Sequence, residues 1–325
     1  MVLGSETDPG IPADLLVENA SELITLATDE PNNNSGKPRI GSSMRDLGVI
    51  RGGSVAALNG HIVAVGGTHE IRERVTLAPN AEVIDAKGMV VLPGFVDSHT
   101  HLVFAGSREQ EFIQRAEGKT YLDILDSGGG ILSTVRATRN ATESELLALG
   151  LKHLDIMMCH GTTTVEIKSG YGLSVDEELR SLRVIRELDK SHPVDVVSTF
   201  MGAHAVGPEY AGDPEGYVQH VIDEMIPRVK EENLAEFCDV FCEEGVFSVT
   251  QSRRILEAGL ACGLLPRIHA DEMASLGGAE LAAEIGAVSA EHLLYASAQG
   301  IHKMAEAGVT ATLLPVTSFT LMLGQ

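Results

Sequence analysis

Two periods of apolar residues alternate along most of the chain. Short apolar runs occupy 91–97, 161–167, 194–200, 237–242, 264–269, 287–292 and 309–314. Runs of that length read as buried strands. Between them, 143–158, 175–191, 215–232, 249–262, 275–285 and 296–307 read as helices. Several start at acceptable caps, for example Ser174 ahead of Asp176, Glu177 and Glu178. Repeated βα units imply a parallel sheet with helical crossovers. The pattern supplies seven strands, one fewer than a (β/α)8 barrel of TIM type. A doubly wound sheet usually opens with a Gly-rich phosphate turn, and a His-x-His stands in that place instead.

The first 88 residues follow another pattern. Residues 14–27 and 47–66 read as short strands, and Asn59-Gly60 is a strong hairpin signal. Residues 28–46, rich in Asn, Ser, Gly and Pro, read as a loop. The expected organisation is a small β module over 1–88 and an α/β barrel domain over 89–325.

The barrel domain is organised around its first strand. Phe95 to His101 reads as a short buried strand entered through Pro93-Gly94. His99 and His101 are two apart, so their imidazoles share one face. Two neutral imidazoles at a strand end can bind one divalent metal.

Composition narrows the class. Hydrophobic residues make up 44% of the chain, which marks a globular protein. No apolar run is long enough for a membrane span. The N-terminus lacks the basic and apolar regions of a signal peptide. Net charge is −22, which argues against nucleic acid or an anionic membrane as partner. Abundant Asp and Glu beside little Lys also fit a salt-adapted surface. Cys159, Cys238, Cys242 and Cys262 read as reduced, buried thiols of a cytoplasmic protein, without the second pair a structural zinc site needs.

Chemistry then collects at the strand ends, where barrels of this kind build their active sites. The ends carry His99 and His101, then Lys168-Ser169-Gly170-Tyr171, then His204, Glu243-Glu244, His269-Ala270-Asp271-Glu272 and Glu291-His292. Histidine stands at four of these six ends, which makes a metal-centred site the better reading. His269 joins His99 and His101 as a third ligand. A divalent metal there would lower the pKa of a bound water toward neutrality. Glu272 is placed to exchange a proton with a leaving nitrogen, and His292 to orient water or polarise a carbonyl. Arg108, in the first βα loop, suits a substrate carboxylate.

Pro93-Gly94-Phe95-Val96-Asp97-Ser98-His99-Thr100-His101 resembles the first-strand signature of the amidohydrolase superfamily. Further stretches look like the imidazolonepropionase family: Gly128 to Ile131, Val165 to Gly172, Phe200 to His204, Cys242 to Phe247 and His269 to Glu272. The resemblance implies hydrolysis of 4-imidazolone-5-propanoate to N-formimidoyl-L-glutamate, a step of histidine degradation. It also implies a (β/α)8 barrel with a small β-sandwich, and one zinc or iron ion. His99, His101 and His269 match its metal ligands. Arg108, Tyr171, His204 and Glu272 match substrate-binding positions, and Glu272 and His292 match proton-transfer residues. The implied partner is a small-molecule substrate, with a homodimer as the candidate assembly.

One departure stands out. The family's fourth metal ligand is an Asp on strand eight, and after His292 the only acidic residue is Glu306, in a helical stretch. The expectation is a barrel without strand eight, beside a β-sandwich module without its C-terminal half. Alternatives are another amidohydrolase, hydantoinase-like or a deaminase, and an inactive truncated fragment. Dinuclear members usually carry a Lys on strand four, and 238–242 has none.

Overall fold

A computed structural model describes residues 10–27, 38–119 and 129–321. The chain forms two compact units, Met1–Gly94 and Phe95–Gln325. Gly128, which the family resemblance included, lies outside the described residues.

The first unit is a five-stranded sheet. Its strands are β1 (Ile11–Ile24), β2 (Val49–Leu58), β3 (His61–Gly67), β4 (Val75–Asp85) and β5 (Val90–Val91). Their order is β3-β2-β1-β4, with β5 also on β1. Asn59, at φ 51°, and Gly60, at φ 77°, make the tight β2–β3 turn that Asn-Gly favours. A helix at Thr68–Arg74 covers the sheet, burying Ile71 against Ala13, Leu16, Ala56 and Ala64. That helix and β4 carry no periodic apolar signal. Residues 28–46 are not all loop, since Gly41–Arg45 forms a 3-10 turn.

The second unit holds seven parallel strands. They are β6 (Phe95–Thr100), β7 (Thr162–Lys168), β8 (Asp195–Ala203), β9 (Phe237–Cys242), β10 (Leu265–Ala270), β11 (Ser289–His292) and β12 (Thr310–Thr312). They pair in sequence order from β6 to β12, as successive βα units require. Side chains on β6 and β11 meet, with His99 Nδ1 2.9 Å from Glu291 Oε2. The two strands lie far apart in the pairing order, so the sheet curls round an interior. Leu179, Leu182 and Ile185 of the helix Val175–Ser191 are buried against its outer face. Ser174 stands at that helix's N-cap, but its side chain makes no capping hydrogen bond. The stretch 215–232 is not one helix, because a π turn at Val221–Met225 divides it.

Two readings need correction. Strand β6 is not buried throughout: Phe95 is 55% and Val96 66% exposed. Among the described residues, β6 and β12 are the sheet's unpaired edges. A gap of about 270 Å3 between them is walled by Phe95, Val96 and Leu313. The cysteines also differ. Cys238 and Cys242 are buried, Cys262 is half-buried and Cys159 is exposed.

Unpaired edges bearing apolar side chains invite association. The 325-residue chain is expected to sediment as concentration-dependent species. A single monomer boundary across the concentration range would count against open edges. Among the described residues, no helix is long and apolar enough to cross a membrane.

Candidate active site

The barrel mouth opens into a cavity of about 510 Å3. Every sequence-predicted site residue lines it: His99, His101, Arg108, Tyr171, His204, His269, Glu272 and His292. Period-two alternation places His99 and His101 on one face, with ring centroids 5.5 Å apart. His269 enters from the last turn of β10, and its ring lies 4.6 Å from that of His99. One nitrogen from each of the three lies within 4.8 Å of the others, near enough to share an ion.

The remaining side chains surround this triad. His204 follows β8 and stacks on His101 at 4.5 Å. Its Nδ1 lies 3.1 Å from the Gly170 carbonyl oxygen. A Cβ on Gly170 would meet that imidazole at 2.9 Å, so the close approach needs glycine. Tyr171, beside it, lies 5.3 Å from the His204 ring. His292 ends β11 at φ 70°, an uncommon value outside glycine. Its Nδ1 lies 3.3 Å from Glu272 Oε1. Arg108 sits at the N-cap of the helix Glu109–Ala116, with its side chain 36% exposed toward the cavity mouth.

Burial sets the protonation states. It holds His101 and His269 well below the usual imidazole range, and His204 near 4. His292 is pushed down to about 3, by burial first and then by His99. These rings are therefore neutral at pH 7, with lone pairs available. Glu272 moves the other way. Burial, then the negative charge of Glu243, lifts it to about 7. A carboxyl there can both give and take a proton near neutrality.

Sequence reasoning missed the layer beneath. Asp239 Oδ1 lies 3.0 Å from His269 Nδ1, and Glu291 Oε2 lies 2.9 Å from His99 Nδ1. Burial works against both charges. Lys168 nevertheless keeps Asp239 below the usual carboxylate range, and the His99 hydrogen bond and Lys168 bring Glu291 to about 2. An ionised carboxylate only accepts, so each Nδ1 carries a hydrogen, and the neutral His269 ring keeps its lone pair on Nε2. His269 Nε2 then faces His101 Nε2 at 3.3 Å. A cation suits two such nitrogens aimed at one point. The donor set, three imidazoles, is one zinc and iron both accept. The signal for this layer was present in the sequence: Asp239, Arg267 and Glu291 are ionisable residues inside apolar strands.

Residues 82–196 match the model of the amidohydrolase family. The imidazolonepropionase of Geobacillus kaustophilus is 54% identical over 309 residues, which are 95% of this chain and 72% of that protein. That of Symbiobacterium thermophilum is 55% identical over 312 residues, covering 96% of this chain and 72% of its own. The chain belongs to the imidazolonepropionase family. As a member it is a hydrolase acting on a cyclic amide. Solved structures agree on the fold. An adenosine deaminase from Xanthomonas campestris with bound zinc has a TM-score of 0.58 at 19% identity, covering 97% of this chain and 66% of its own. A triazine hydrolase from Arthobacter aurescens reaches 0.65 at 15% identity, over 95% and 67%. At such identities the likeness speaks for the amidohydrolase barrel alone. The relatives assigned to the imidazolonepropionase family carry the chemistry.

Proposed function

We propose that this chain hydrolyses the ring C–N bond of 4-imidazolone-5-propanoate, giving N-formimidoyl-L-glutamate, and that His99, His101 and His269 hold one divalent ion, zinc or iron. The observation that carries the reading is Glu272. It is held near neutrality, 3.3 Å from His292, in the cavity where three imidazoles converge. A divalent ion there supplies a Lewis acid for the amide carbonyl and the attacking water.

The side chains supply the proton handling. One water is consumed: its oxygen bonds to the carbonyl carbon, the C–N bond breaks, and the nitrogen takes a proton. Glu272 Oε accepts a proton from the water and returns it to the departing nitrogen. Neutral His292, its Nδ1 3.3 Å from Glu272 Oε1, stands beside the carboxyl and offers its other ring nitrogen to the substrate. Tyr171 and His204 wall the ring site. Arg108 at the mouth pairs with the propanoate carboxylate.

Metal analysis of the purified chain, together with loss of imidazolonepropionate absorbance in one assay, tests this reading. Metal uptake without turnover of that substrate would overturn the assignment.

Arg108→Ala should raise KM about 10- to 100-fold with a smaller change in kcat, since a charge-assisted pair contributes about 1.5–3 kcal/mol. An unchanged KM would remove Arg108 from the substrate site.

A further inference from the structure

One buried charge takes no part in this chemistry. Lys168 ends β7 with no solvent exposure, and it does not line the cavity. Its Nζ lies 2.8 Å from Glu166 Oε1 and 2.9 Å from Asp239 Oδ2. Burying an ammonium costs several kcal/mol unless good partners offset it. Those partners lead to the imidazoles by two routes.

The first runs through Asp239. Its other oxygen meets both the backbone amide of His269, at 3.2 Å, and His269 Nδ1, at 3.0 Å. The second runs through Glu166. Its Oε2 accepts from the amide of Thr100 at 3.4 Å, and Thr100 lies between His99 and His101. The Thr199 hydroxyl completes the hold on Glu166.

His99 is held separately. Its carboxylate, Glu291, is gripped by Arg267 at 2.9 Å and by the Ser289 hydroxyl at 2.6 Å. Arg267 Nη1 lies 3.9 Å from Glu166 Oε1, a weaker link between the two halves.

We infer that Lys168 is a positioning residue of the metal centre: by fixing Asp239 it holds His269 as its Nδ1–H tautomer, with Nε2 presented to the ion. The inference rests on the metal reading above. It assigns the ammonium to ligand orientation, a role distinct from packing. Arg267 and Ser289 hold the carboxylate of His99 independently, so loss of Lys168 bears most directly on His269.

The test uses the full 325-residue chain as wild type, Lys168→Met, Lys168→Arg and the double variant Lys168→Met with Asp239→Asn. Zinc affinity is measured by competition with a chelator. Imidazole tautomers of the metal-free protein are read by long-range proton–nitrogen NMR. Wild type should show both His99 and His269 as Nδ1–H. Lys168→Met should mix the tautomers of His269 more than those of His99, which Arg267 and Ser289 still support through Glu291, and weaken zinc binding about 10- to 100-fold. Lys168→Arg should recover most of the affinity.

A folded Lys168→Met protein with His269 still locked and zinc bound as in wild type overturns the inference alone. If Lys168→Met does not fold, the double variant decides, since it removes one charge of each sign from the interior. It should bind zinc weakly, and wild-type affinity in it overturns the inference. Wild type that takes up no zinc overturns the metal reading and this inference with it.

Discussion

Glu272→Gln is expected to lower kcat about 10²–10⁴-fold, the range general acid–base catalysis contributes, with KM little changed. Glutamine keeps the shape and the neighbour at His292 but exchanges no proton. The pH profile carries a second signature. The wild-type profile should contain a group near 7, where burial and Glu243 place Glu272, and the variant should lack it. Stability should respond in the opposite sense to activity. The folded value is raised above the ordinary 4.5, so the stabilisation is fully present below about 4.5 and is lost as pH rises through about 7. A shift of that size corresponds to about 3 kcal/mol. The Gln variant carries no such loss. It should unfold at higher urea than wild type at pH 8 and show no comparable advantage at pH 4.5. An enzyme that stays fully active as the Gln variant would remove Glu272 from proton transfer.

His269→Ala is expected to produce the largest loss of metal. Four-ligand structural zinc sites bind with roughly 10–16 kcal/mol, about 3 kcal/mol per ligand, so one lost imidazole should weaken binding by about two powers of ten or more. The loss extends beyond the ligand itself. Asp239, fully buried, would keep its charge while losing the Nδ1–H it accepts from. Lys168 remains beside it, which keeps the interior paired and the fold intact. Chelator competition and far-UV circular dichroism together check this: zinc affinity should fall while the spectrum is unchanged. Wild-type zinc affinity in the variant would exclude His269 as a ligand.

Local patterns in the chain determined a good deal. The apolar run at 237–242 is β9, and the amphipathic stretch at 175–191 is a helix with those bounds. Both are buried on a continuous face, so the apolar period reports them. Alternation along β6 put His99 and His101 side by side before any fold was known. Elements with weak periodicity stayed hidden. Glu109–Ala116 is short and charged, and Ile131–Asn140 buries Val135 among polar neighbours. β4 is mostly exposed and contains Pro79, so neither period marks it.

What tertiary structure alone decided is which charge meets which imidazole. Glu291 is 192 residues from His99, and Asp239 is 30 residues from His269. No spacing rule links such pairs. They meet because parallel pairing in strict order sets β9 beside β10, and because the sheet then curls until β11 faces β6. The value near 7 at Glu272 has the same origin. A carboxyl two residues past a strand end reads as solvated in sequence, and only its burial in the folded barrel and the charge of the neighbouring Glu243 lift it out of the acidic range.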